Sequence, residues 1–507
     1  MHAQAAETMF HKSMNASERA GQCMMVRIFG DTLTNETRAF LTAHHIRAVC
    51  LFRQNMRDEA QLRRLIADLQ EVLGPAALIA IDQEGGAVMR TTWLPEAPSA
   101  MCLGAANDPA LCSDVGGAVA RAIKALGFNW NFAPVLDVNS NPHNPVIAER
   151  AFGDDPSQVA VLANAWMQAS LREGVATCLK HFPGHGDTRV DSHRALPVVN
   201  KSRQELERQE FLPFQQCAAL APAMMTAHIV YPQLDPDLPA TLSRTILQDI
   251  LRDTWGYDGV VITDSMEMQA ISDHFGAGAA AVMALQAGAD MVMALGSVEE
   301  QEATWQALCE AINSGVIGTE NNDHSLRRLQ LLVKNFPSTQ SAYHTREQDE
   351  ALIARAWRQG LSSFGQVKCL PLASKIRLVM RNHAQSDGVT ERGVSVQEIQ
   401  DLLATKFDVQ VTTFEQAEGF DWAALPDDGR LPILVSSTRA RYPQQVRETW
   451  KPALHVALWS PYQVLDIDAP ALMTFGFARP ALHALLACLC GEVALPPQTQ
   501  LKLNLAN

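Results

Sequence analysis

Eight short apolar runs, each followed by glycine, aspartate or proline and then by a helical pattern, set the frame for this chain. They are M-M-V-R-I-F-G (24–30), R-A-V-C-L-F (47–52), A-L-I-A-I-D (77–82), F-N-W-N-F-A-P-V-L-D (128–137), V-A-T-C-L-K (175–180), P-A-M-M-T-A-H (222–228), G-V-V-I-T-D (259–264) and A-D-M-V-M-A (289–294). Between the second and third, Leu62, Leu65, Ile66, Leu69, Val72 and Leu73 recur at helical spacing, as a crossover helix lying on parallel strands requires. Eight strand-like runs joined by helical connections predict an α/β fold, a (β/α)8 TIM-type barrel.

At 507 residues the chain exceeds the ~250–300 residues that one hydrophobic core usually serves, so a second domain is expected. After Phe336 the stretch P-S-T-Q-S-A-Y-H-T has no apolar period, and a helix is predicted over 346–360. Runs at 376–380, 409–414, 432–436, 455–459 and 472–477 then alternate with helical or turn segments, the pattern of a smaller open α/β domain. The expected division is a barrel over 1–336, a linker with a helix over 337–375, and a C-terminal α/β domain over 376–507.

In such a barrel chemistry sits at the carboxyl ends of the strands. Those ends are polar here: Asp82, Asp137, Lys180 with His181, His228 and Asp264 close five successive runs. One polar strand end is usually a turn or a cap, whereas five around one rim mark a site.

The densest stretch is K-H-F-P-G-H-G-D-T-R-V-D-S-H (180–193). Its histidines and aspartates could be metal ligands, but Pro183, Gly184 and Gly186 separate them and nothing local preorganises a zinc set. No catalytic metal is therefore expected. A carboxylate two residues before a histidine, as in Asp191-Ser192-His193, can accept from one ring nitrogen and raise the basicity of the other. That is the design of an acid/base dyad. Asp264 ends a fully apolar strand, where a pocket can hold a carboxylate close to the anomeric carbon of a sugar.

The ordered motifs I-D-Q-E-G-G (81–86), F-A-P-V-L-D-V (132–138), E-R-A-F-G (149–153), K-H-F-P-G-H-G with D-S-H, and T-D-S-M-E-M (263–268) resemble the β-N-acetylglucosaminidases of glycoside hydrolase family 3, over roughly residues 20 to 335. The resemblance implies Asp264 as nucleophile and His193 as acid/base, with Asp191 orienting it. It further implies sugar binding by Asp82, Arg90, Arg150, Lys180 and His181. The family commonly carries arginine where this chain has Ala87, and Arg90 is taken in its place. His185 is expected to stabilise the loop, and the loop to close over a bound sugar. In other members of the wider family a second domain supplies a glutamate acid/base; the histidine dyad fills that role here, so residues after 375 are expected to be structural or a wall of the pocket. The implied activity is retaining, exo-acting hydrolysis of terminal β-linked N-acetylglucosamine from muropeptides or chitooligosaccharides, for which no cofactor is implied. The alternatives are a phosphorylase, since a neutral histidine would not repel phosphate, and a non-catalytic sugar-binding protein.

Composition narrows the partners. With 41 basic against 55 acidic residues the net charge is −14, which opposes binding to nucleic acid or anionic lipid. No apolar run reaches transmembrane length, so membrane insertion is not expected. The opening M-H-A-Q-A-A-E-T-M-F-H-K lacks an apolar core of signal-peptide length, although A-Q-A-A also fits the remnant of a leader. A cytoplasmic protein with buried, reduced cysteines is expected, its partner a carbohydrate.

Overall fold

The computed structural model describes residues 14–192, 195–382, 390 and 393–501. All eight predicted barrel runs form strands: β1 (Met24–Arg27), β2 (Ala48–Cys50), β3 (Leu78–Ile81), β4 (Trp130–Asn131), β5 (Ala176–Phe182), β6 (Ala223–Thr226), β7 (Val260–Ser265) and β8 (Met291–Ala294). They close into a parallel barrel in sequence order, with β1 against both β2 and β8. Buried on both faces, these strands read as apolar runs because each residue meets either the barrel interior or the helical layer. Met25, Leu78, Ala80, Trp130, Met225, Ile262 and Met293 belong to the interior cluster, while their neighbours Met24, Val26, Ile79, Met224, Val261 and Val292 pack with the helices. Period two thus sorts one strand between two cores.

The crossover helix α1 (Glu59–Leu73) shows how local signals set an element. Asp58 caps it by accepting from the Gln61 amide, Leu62, Leu65, Ile66, Leu69 and Leu73 form its buried face, and Gly74 ends it at φ +74°.

The segment 337–375 holds more than a linker helix. Helix α2 (Arg346–Gly360) buries Trp357 completely, and the indole Nε1 donates to the Glu96 carbonyl at 2.7 Å. Strand β9 (Ser362–Phe364) follows and pairs antiparallel with the last strand of the second sheet. Three residues are too few for periodicity to reveal such a strand. The rest of that sheet is parallel: β10 (Lys375–Arg381), β11 (Asp408–Phe414), β12 (Leu431–Ser436), β13 (Leu454–Ala457) and β14 (Ala471–Met473). The spatial order is β9-β14-β13-β12-β10-β11.

The two sheets meet through buried polar contacts. Glu149 from the barrel binds Arg439 and Trp459, and Asn139 donates to the Tyr462 hydroxyl at 2.9 Å. Among the described residues no helix is long and apolar enough to cross a membrane, and all ten cysteines are free thiols, seven of them buried.

Candidate active site

A cavity of about 490 Å³ opens at the carboxyl ends of the barrel strands, and every residue lining it lies between Arg27 and Leu295. Asp82, Arg90, Arg150, Lys180, His181 and Asp264 all face it, brought together from separate strand ends and the loops that follow them. Among the described residues, none of the second domain does.

One wall is a chain of alternating charges. Lys180 Nζ lies 2.7 Å from Asp82 Oδ1 and 2.6 Å from Glu84 Oε1. Arg90 holds the other oxygen of Asp82 at 3.2 Å, and Arg150 grips Glu84 with two hydrogen bonds, Nε to Oε2 at 2.9 Å and Nη2 to Oε1 at 2.8 Å. Burial pushes both carboxyls up, but Lys180 and Arg90 for Asp82, and Arg150 and Lys180 for Glu84, outweigh it and hold them below the usual carboxylate range. Burial likewise pulls Lys180 down, and the two carboxylates bring it above its ordinary value. The array is therefore fully ionised at neutral pH, with fixed donors and acceptors suited to sugar hydroxyls.

His181 is oriented from behind. Asp137, completely buried, places Oδ2 2.7 Å from His181 Nδ1, while its Oδ1 accepts the His181 and His185 amides at 3.1 and 2.6 Å. With the Nδ1 proton directed to Asp137, Nε2 is left as the acceptor, 3.4 Å from the donor-only Arg150 Nη2. His185 spans its own loop, with Nδ1 2.9 Å from Thr188 Oγ1 and Nε2 2.9 Å from Ser192 Oγ. Burial, reinforced by His181, lowers its pKa to about 4, so its ring is neutral at neutral pH. Asn144 fastens the loop further by donating to the His185 carbonyl at 2.8 Å, and a Cβ on Gly186 would lie 1.7 Å from the Val138 carbonyl oxygen. Only glycine permits that approach.

Asp264 stands next to the end of β7, half-buried, with Oδ1 accepting from the Ser265 amide at 2.7 Å. His228 braces this strand end through Nε2, 2.9 Å from the Ser265 carbonyl oxygen. Asp191 is buried beside Ser192, and Ser192 reaches the cavity wall. His193 lies outside the described residues.

Four residues to which the sequence alone assigned no role acquire a place. Glu84 is two residues beyond Asp82 in an extended segment, so both side chains fall on one side of it; that spacing was the available signal. Asp137 was visible as a strand end, but nothing local linked it to His181. Arg27, its guanidinium 5.1 Å from the centre of the Phe52 ring, and Glu267 complete the lining. Burial pushes the Glu267 carboxyl above its ordinary value. Among the described residues no group of three or more His, Cys, Asp or Glu side chains is placed to hold a metal ion.

Comparison with known proteins agrees with this geometry. Beta-hexosaminidase A of Pseudoalteromonas piscicida is 34% identical over 341 residues, 61% of this chain and 57% of that protein, so the chain spans little more than half the length of this relative. Beta-hexosaminidase of Alkalilimnicola ehrlichii is 38% identical over 279 residues, covering 53% of this chain and 79% of its own. A glycoside hydrolase family 3 beta-N-acetylglucosaminidase from Paenibacillus sp. superposes with a TM-score of 0.85 at 30% identity, over 96% of this chain and 99% of that one. Residues 16–332 match the glycosyl hydrolase family 3 N terminal domain, which takes in the whole barrel and every residue of the cavity, and the chain belongs to that family.

Proposed function

We propose that the protein is a retaining exo-β-N-acetylglucosaminidase that releases terminal β-linked N-acetylglucosamine from muropeptides or chitooligosaccharides. The observation that carries this reading is the sharing of one cavity by the Asp264 carboxylate and by Asp82, Arg90, Lys180 and Arg150, which are held by ion pairs to one another and to Glu84. The array offers ionised acceptors and donors for the hydroxyls of one sugar ring, and Asp264 stands where an anomeric carbon can be attacked. In the first step Asp264 displaces the aglycone, whose oxygen takes a proton from His193, and a glycosyl-aspartate forms. In the second, His193 removes a proton from water, which cleaves that ester and releases the sugar with retained configuration. Asp191 orients His193 and favours its charged form. The second domain buttresses the loop of Arg150 through Glu149, and a cytoplasmic place in cell-wall turnover belongs to the same proposal. The names of the relatives and the fit to the Paenibacillus enzyme support it.

Phosphorolysis is the second reading, favoured by Arg27, whose guanidinium lines the cavity with a buried Nε that has no hydrogen-bond partner. Product analysis on chitobiose and on N-acetylglucosaminyl-anhydromuramyl peptides, with and without phosphate, tests both. Free N-acetylglucosamine of β configuration at first release supports hydrolysis with retention. Sugar 1-phosphate that rises with phosphate supports the second reading, and α product at first release rejects the double displacement.

A further inference from the structure

The second domain contains a crevice that the proposed reaction does not use. Its parallel strands lie in the order β11-β10-β12-β13-β14, so the chain leaves β10 toward one edge and resumes at β12 on the other side. The following helices consequently separate. Val396–Ala404 contributes Ile399 and Leu403 to the core on one face of the sheet, whereas Gln444–Thr449 contributes Val446 to the core on the other. Such a reversal opens a cleft at the carboxyl ends of the two central strands, the place where open α/β sheets take small ligands. A cavity of about 340 Å³ lies there, bordered by Arg381 at the end of β10, Phe414 at the end of β11, and Ser437, Thr438 and Arg441 after β12.

The groups left unmatched in this cavity are donors. Ser437 is 3% exposed and its hydroxyl has no hydrogen-bond partner. Arg441 is fixed by Asp466, with Nε 2.7 Å from Oδ2 and Nη2 2.6 Å from Oδ1, and its buried Nη1 has no partner. Arg381 makes no ion pair with a described residue. Among the described lining residues the one carboxylate, Glu418, is exposed at the rim. A guanidinium already locked in place, a second one with no ion pair to a described residue and a buried hydroxyl are complementary to a compact acceptor-only group.

We propose that this crevice binds a small anion, a phosphate monoester or a carboxylate, between Arg381, Ser437 and Arg441. It is separate from the barrel cavity, with which it shares no lining residue. Calorimetric titration of the full chain with inorganic phosphate, and separately with acetate, tests the site. One saturable site per chain is expected for at least one of the two, and their relative affinity assigns the anion class. Ser437→Ala and Arg381→Gln should each weaken binding about tenfold or more, the usual loss of one hydrogen bond to a charged group. Arg27→Gln, in the barrel cavity, should leave it unchanged. Ser437→Ala removes a hydroxyl that has no partner, so its urea midpoint should not fall, which separates lost binding from lost folding. No saturable heat with either anion, or binding lost in Arg27→Gln and kept in the two crevice variants, overturns the proposal.

Discussion

Replacing Arg439 with alanine strands a carboxylate between the two domains. Glu149 is completely buried, and its Oε1 accepts from Arg439 Nη2 and from Trp459 Nε1, each at 2.6 Å. Its Oε2 accepts from Arg439 Nε at 3.0 Å, and the guanidinium, its side chain 4% exposed, rests 4.7 Å from the centre of the Trp459 ring. In the alanine variant the indole bond survives, but the counter-charge, two or more hydrogen bonds and the ring contact are lost together. Leaving one partner of a buried ion pair unmatched costs about 3–5 kcal/mol. Removing both charges, as in Glu149→Gln with Arg439→Met, should cost less than half of that, because the amide oxygen introduced at position 149 still accepts from Trp459 and nothing ionised is stranded. The effect should also reach the site. Glu149 adjoins Arg150, which fixes Glu84 and approaches His181, and displacement of such a group by ~1 Å can lower catalysis by ~10²-fold. Urea unfolding and turnover of a nitrophenyl N-acetylglucosaminide, measured on both variants, supply the two readouts. If Arg439→Ala is as stable as the wild type, or the double variant is as unstable as the single one, the stranded charge does not govern this interface.

Asp264→Asn should keep the fold and lose turnover, and a fluorinated N-acetylglucosamine inactivator should label Asp264; peptide mapping that places the label on Asp82 removes the assignment. His193→Ala should lose ~10²–10⁴-fold on a disaccharide and far less on a nitrophenyl glycoside, whose leaving group needs no proton, with Asp191→Ala a milder case. Equal losses on both substrates would mean that the proton donor lies elsewhere. Lys180→Met leaves Asp82 and Glu84 facing each other without their shared cation. Both carboxyls titrate below the ordinary range in the wild type, so they contribute stability above about pH 4 that is lost as the pH falls. The variant should lose the share of this contribution that Lys180 supplies, Arg90 and Arg150 keeping the rest, and should lose sugar affinity, as unfolding and inhibition by N-acetylglucosamine would report. His185 behaves in a related way: its pKa is lowered from 6.5 to about 4, so the unfolded chain binds the extra proton between those values and stability falls as pH drops through that window, by about 3 kcal/mol in all. His185→Gln should flatten this slope by about one proton, and an unchanged slope in urea titrations at about pH 4.5 to 7 would show that another group causes it.

The local chain dictated what local periodicity can encode. The near-continuous burial of Met24–Arg27 and Leu78–Ile81, the apolar face and caps of Glu59–Leu73, and the polar residues that end several strands are set within a few residues of one another. Asp82, Lys180, His181 and Asp264 were legible for that reason: a parallel barrel gathers its strand ends at one rim whatever the connections between them contain. The partners were not. Lys180 meets Asp82 and Glu84 only because β5 and β3 flank β4, and Asp137 reaches His181 across 44 residues. Strand Ser362–Phe364 is too short to announce itself and exists because the edge of β14 completes its hydrogen bonds. Glu149 and Arg439, 290 residues apart, are ordinary surface residues by composition and a buried pair only once two sheets dock. Such pairings depend on closing long loops between segments that share no local pattern, so the folded chain decides them, and with them which charges surround the cavity and how they are held.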